Sequence, residues 1–151
     1  MDKNYLKNQI ETEIWNLERL LKELIEINKN ISDNPNFIET RAAGSILHDF
    51  YCGVEKIFER IFLFFYKNLP KTEDWHNELL LKMASPIDKI GIVVISNELM
   101  QKLKEYLRFR HLFRNIYGFE LKWERFKNLS LSLPATLDDL KNNLKKFLNS
   151  L

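Results

Sequence analysis

The sequence predicts an all-α protein, an up-and-down bundle of four to five helices. Apolar residues recur at three- and four-residue steps over long stretches. The 151 residues include only four Gly and four Pro, too few for the turns of a β fold. Short polar breaks separate the periodic stretches, so neighbouring helices should pack antiparallel. A chain of this length reads as one domain, 1–151, able to bury a core without staples.

The first helix spans about 4–30, where Ile10, Ile14, Leu17, Leu21, Leu24 and Ile25 share one side. The polar run 28–35, closed by Pro35, stops it. The second starts near Phe37 and continues to about Leu69, ended by Pro70. Its apolar set is Ile38, Ala42, Ile46, Phe50, Val54, Ile57, Phe58, Ile61, Phe62 and Phe65. Gly44 and Gly53 each weaken that helix by about 1 kcal/mol relative to Ala, which points to close packing or a bend. A shorter helix over 73–83 carries Trp75, Leu79, Leu80 and Met83 and is broken by Pro86. Residues 90–95 are strand-like in propensity but have no partner strands, so they read as a buried, extended connector. Ser96 N-caps the next helix, Glu98 and Leu99 open it, and Gly118 ends it as a C′ residue. A short helical turn over 121–129 follows. After Pro134, Thr136 N-caps a last helix through Leu137, Leu140, Leu144, Phe147 and Leu148.

Composition excludes several function classes. The lone Cys52 forms no internal disulfide, and Cys and His are too few and scattered for a structural zinc site, so no metal or cofactor is expected. That usage fits a reducing cytoplasm. Residues 1–5 lack a basic stretch followed by an apolar one, so no signal peptide is expected. The most apolar run, 57–69, is short and interrupted by Glu59, Arg60 and Lys67, which argues against a membrane span.

Net charge is +2, unevenly distributed. Residues 101–127 hold eight Lys/Arg against three Glu, a local excess of five, which leaves about −3 for the remainder. Such a surface attracts a polyanion, although a solvated helix face has the same charge pattern. Within it, one helix side turns from apolar at Leu99, Leu103 and Leu107 to cationic at Arg110 and Arg114, then Tyr117, with His111 and Asn115 alongside. Arg110 and Arg114 share a face and repel unless an anion or carboxylate lies between them. Arg, His and Tyr together suit a phosphodiester: Arg stabilises charge, His moves a proton, Tyr stacks or orients.

Arg110, four residues, Asn115, one residue and Tyr117 resemble the Arg-x4-His-x-Tyr signature of HEPN-superfamily ribonucleases of the HepT-like branch. The polar His111 directly after the Arg is also usual there. Residues 45–51 and 55–60 of the second helix and Asp74-Trp75-His76 add to the resemblance, which covers about 40–130. It implies a HEPN-like helical bundle that forms a homodimer, with two motifs facing across a cleft. It also implies a toxin paired with a minimal nucleotidyltransferase antitoxin, cutting RNA without metal. In that branch the Arg stabilises the phosphorane and the His acts on the ribose 2′-hydroxyl. In some pairs the antitoxin transfers AMP to the motif tyrosine, here Tyr117. On this basis Arg110, His111, Asn115 and Tyr117 are the candidate catalytic residues, and Arg108, Arg114 and His76 the candidate RNA- or phosphate-binding ones.

The chain departs from the signature at one position. Asn115 stands where the family has His, and an amide is no general base. Two readings stay open. His111, one turn earlier and about 40° around the helix, takes the proton-transfer role. Alternatively, the protein is a non-catalytic helical module that binds RNA, nucleotide or a nucleotidyltransferase partner. Arg41 and His48 also form an Arg-x6-His spacing, but on another helix, where a capping or interhelical role for His48-Asp49 fits better. His76 either lines the cleft or packs beside Trp75, and Arg114 has Glu120 as a candidate carboxylate partner.

Overall fold

Among residues 2–151, which the computed structural model describes, five α-helices form: α1 (Lys3–Asn30), α2 (Phe37–Phe65), α3 (Trp75–Met83), α4 (Asn97–Asn115) and α5 (Trp123–Asn149). A 3₁₀ turn, Gly118–Glu120, links the last two. Side chains cap three of the helix starts. Asp2 accepts from the Tyr5 N–H and Ser96 from the Leu99 N–H. At α2 the Asn36 and Glu39 side chains each accept from the other's backbone N–H, a reciprocal capping box.

Cross-helix contacts set the directions. Lys3 Nζ donates to the Leu151 carbonyl, and Ser130 Oγ donates to Asn28 Oδ1, so α5 runs antiparallel to α1. Tyr106 donates to the Leu129 carbonyl while Lys102 reaches Asp139, so α4 and α5 are also antiparallel. Phe113 lies beside Gly44 and Arg110 beside Glu55, which reverses α4 relative to α2. The result is an up-down-up-down bundle of α1, α2, α4 and α5, with short α3 packed on α2 and α4. α2 touches every other helix and supplies much of the core, including Leu47, Phe50, Tyr51, Val54, Ile57, Phe58 and Ile61. Gly53 lets α1 approach: a Cβ there would sit 2.6 Å from Leu17 Cδ2.

Several local expectations are corrected. α2 stops at Phe65 rather than near Leu69, since the chain turns at Tyr66, whose ring stacks on Phe62. Ile38 begins α2 on its exposed side and takes no part in the core. The 90–95 connector is a turn around Gly91 at φ +67°, not a buried strand-like run. Ile90 and Val93 are exposed, whereas Val94 and Ile95 are buried and both donate to the Met83 carbonyl. α4 ends at Asn115, and Gly118 opens the 3₁₀ turn instead of closing the helix.

The largest correction is α5. A turn and a separate C-terminal helix were expected around Pro134, yet one helix runs through it. Thr136 is buried mid-helix and donates to the Ser132 carbonyl, so it is no N-cap. A proline there leaves a carbonyl one turn back without its donor, at a cost of about 3 kcal/mol. Burial of Phe126, Leu133, Leu137 and Leu140 along one side of the continuous helix offsets this.

Candidate functional site

The first half of α4 is held in the core by Leu99, Met100, Leu103 and Tyr106. Burial pushes the Tyr106 hydroxyl up to about 12, against a weaker opposing hydrogen bond from Thr136. Beyond Phe109 the helix emerges: His111, Leu112, Arg114 and Asn115 are all exposed. Arg110 lies at the boundary, its side chain only 11% exposed.

Two groups from α2 hold Arg110 in place. Its Nη2 is 3.8 Å from Glu55 Oε1, and its Nε donates to Cys52 Sγ at 3.4 Å. Glu55 is almost wholly buried, and its other oxygen meets Nδ1 of His76 at 2.7 Å. Trp75 stacks on the His76 ring with centroids 3.8 Å apart. Thus one buried carboxylate joins a guanidinium from α4 to an imidazole from the start of α3. Pairing and hydrogen bonding stabilise a charge that would be costly alone in the core.

The same cluster perturbs its neighbours. Burial, reinforced by Glu55, raises the Tyr51 phenol despite the opposing charge of Arg110. Burial and then Glu55 raise the Glu59 carboxyl, against smaller opposing effects of His76, Arg110 and Arg60.

Outward from this base a cavity of about 510 Å³ lies between the start of α3 and the later turns of α4. Lys104, Arg108, Arg110, His76 and His111 line it, together with Glu73 and Asp74 just before α3. An adjoining space of about 360 Å³ is bordered by His76, Arg110, His111, Arg114 and Asn115, with no carboxylate. Two arginines and two imidazoles around one opening form a site for an anion.

The structure brings six of the seven sequence candidates together and leaves one outside. Arg110, His111, Asn115, Arg108, Arg114 and His76 border these two cavities, which share His76, Arg110 and His111. Tyr117 does not. It lies past the end of α4, 71% exposed, stacked on Phe119 with centroids 5.2 Å apart. The expectation that Arg110, Arg114 and Tyr117 continue one helix side therefore fails at Tyr117, because the helix stops two residues earlier. Asn115 spends its amide on its own helix, donating to the carbonyl of His111 one turn earlier at 2.7 Å.

Glu120 accepts from the Tyr117 backbone N–H, and Arg114 has no carboxylate within salt-bridge distance among the described residues. His76 combines both roles weighed for it, packing on Trp75 and lining the cleft. His48 is interhelical, its ring 4.8 Å from that of Phe113 and its nitrogens facing Asp49 and Cys52. Arg41 packs its guanidinium against Gly118.

Sequence reasoning missed Glu55 as a site residue. Its signals were its place in the 55–60 stretch and its acidic side chain amid the apolar face of α2, four residues after Tyr51 and four before Glu59. Among the described residues no group of three or more His, Cys, Asp or Glu side chains is arranged to hold a metal ion, and no helix is long and apolar enough to cross a membrane.

Comparison with known proteins gives one match. The profile of a family described as HepT-like protein matches residues 42–151, from early α2 to the C-terminus. No curated protein and no solved structure matches the chain.

Proposed function

The chain belongs to the HepT-like family of the HEPN superfamily, and on that premise we propose that it is a metal-independent endoribonuclease, the toxin of a toxin–antitoxin pair. The observation that carries this reading is the cationic opening shared by Arg110, Arg114, His76 and His111, with Arg110 held from below by buried Glu55. A guanidinium held in place before substrate arrives stabilises charge developing on a phosphorane without reorganising during the reaction. The protein works as a homodimer, with two such openings forming one RNA cleft. Its partner is a minimal nucleotidyltransferase that transfers AMP to Tyr117, whose ring stands exposed beside Phe119.

The test is cleavage of labelled single-stranded RNA by purified protein in the presence of a chelator. Wild type should cut and Arg110→Ala should cut about 10²–10³-fold more slowly; RNA left intact by wild type would sink the reading. Co-expression with a candidate nucleotidyltransferase should add AMP-sized mass increments that disappear in Tyr117→Phe.

One observation favours a second reading, a non-catalytic module that binds RNA, nucleotide or the nucleotidyltransferase. Asn115 replaces the family's histidine and its amide is bonded to the His111 carbonyl of its own helix. Tight partner or RNA binding with no cleavage at any pH would establish that reading in place of the first.

A further inference from the structure

We propose that His76 is the proton-transfer residue of this site, supplying the imidazole that position 115 lacks, with Glu55 as its positioning partner. This rests on the ribonuclease reading and deepens it. An ionised carboxylate only accepts hydrogen bonds, so the 2.7 Å contact from Nδ1 to Glu55 puts the ring proton of the neutral imidazole on Nδ1. The lone pair is then on Nε2, which has no protein partner among the described residues. Trp75 holds the ring plane, and the ring borders both cavities that Arg110 borders. A buried carboxylate behind an imidazole fixes its tautomer and stabilises the imidazolium that forms when it takes a proton.

The other imidazoles lack this arrangement. His111 is exposed, with no side-chain hydrogen bond among the described residues. His48 has Nε2 3.8 Å from Cys52 Sγ and borders neither cavity.

The substrate is an RNA phosphodiester with a free 2′-hydroxyl. Nε2 of His76 takes the 2′-hydroxyl proton, and the 2′-oxygen attacks phosphorus while the Arg110 guanidinium faces the charge that builds there. The bond from phosphorus to the 5′-oxygen breaks, and that oxygen leaves with its electron pair and takes a proton from water. The imidazolium returns its proton to the hydroxide so formed. The products are a 2′,3′-cyclic phosphate and a 5′-hydroxyl, with no change of oxidation state.

The experiment measures cleavage of labelled RNA against pH in chelator, for wild type, His76→Ala, His111→Ala and Glu55→Gln. Charged and titratable groups facing His76 are Glu55 and Glu59 from α2, Lys104, Arg108, Arg110, His111 and Arg114 from α4, and Glu73 and Asp74 before α3. His76→Ala should lose about 10²–10⁴-fold in kcat, weaken binding of an all-2′-deoxy oligonucleotide far less than that, and regain activity with added imidazole. Glu55→Gln should lower kcat and move the acidic limb of the profile to lower pH, because a neutral amide stabilises the imidazolium less. His111→Ala should raise KM more than it lowers kcat and show no rescue by added imidazole, as for a group that lines the opening without moving the proton.

Wild-type cleavage that persists unchanged in His76→Ala overturns the assignment to His76 and leaves the ribonuclease reading standing. Lost oligonucleotide binding in His76→Ala with no imidazole rescue marks a structural role and overturns it equally. Absence of cleavage by wild type overturns both.

Discussion

Two cavities of this protein have the same volume, about 510 Å³, and differ in how their charged side chains are held. One lies between α1 and α2, over Leu17, Leu20 and Gly53. Its rim mixes Glu13, Glu23 and Asp49 with Arg19 and Lys56. The other lies between α3 and α4 and gathers Lys104, Arg108, Arg110, His76 and His111 with Glu73 and Asp74. Size therefore says nothing about which is a site. The difference is anchoring. In the first cavity the cations are exposed, Arg19 resting over the Trp15 ring, 4.9 Å from its centroid. In the second, Arg110 and His76 are tied to one buried carboxylate, so both face the opening in a fixed geometry. Cys52 joins the two regions: it borders the first cavity and accepts from Arg110 of the second.

The comparison breaks most sharply on activity. Arg110→Ala should reduce RNA cleavage by about 10²–10³-fold, the scale of losing one preorganised charge stabiliser. Arg19→Ala should leave it within about twofold, and an equal loss from both in single-turnover assays would erase the distinction. Stability should show the opposite pattern. Leu17 is fully buried under the first cavity, so Leu17→Ala should destabilise by about 2–5 kcal/mol in denaturant unfolding. Cleavage measured well below the melting temperature should be unaffected.

Smaller effects sharpen the contrast. Arg114→Ala should weaken RNA binding and lower the slope of log Kd against log salt by about 0.7–1, as expected for one phosphate contact. Lys56→Ala, on the first cavity, should leave that slope unchanged; fluorescence anisotropy across a salt series reads both.

The smallest effect concerns Glu59, whose carboxyl is raised by burial and by Glu55. In the folded protein it holds its proton to a higher pH than in the unfolded chain. Its contribution to stability is therefore present at low pH and lost as pH rises through the raised value. Glu59→Gln should give a slight rise in Tm at neutral pH that fades on acidification, and a fall in Tm at neutral pH would show that the charged form is stabilising.

Much of the site was legible in the sequence because its residues lie close together on one helix. Arg110, His111, Arg114 and Asn115 fall within two turns of α4, and helical periodicity is enough to group them. Tyr117 was misplaced because the end of α4 depends on where the chain turns toward α5, which spacing does not reveal. Glu55 was not legible, since its partners His76 and Arg110 lie on other helices, 21 and 55 residues along the chain.

By itself the sequence determined what depends on neighbours within a turn or two. Ser96 caps α4 and the Asn36–Glu39 box opens α2 because each joins a side chain to a backbone N–H only three residues away. Periodic apolar faces likewise determined that the chain folds as a helical bundle. Only the tertiary structure decided that α5 runs through Pro134, because burial of one long face outweighs the local cost of proline. It alone decided that a carboxylate from α2 meets an imidazole from α3 and a guanidinium from α4. Those contacts depend on how three helices pack, and that arrangement is set by the summed burial of the core rather than by any short stretch of chain.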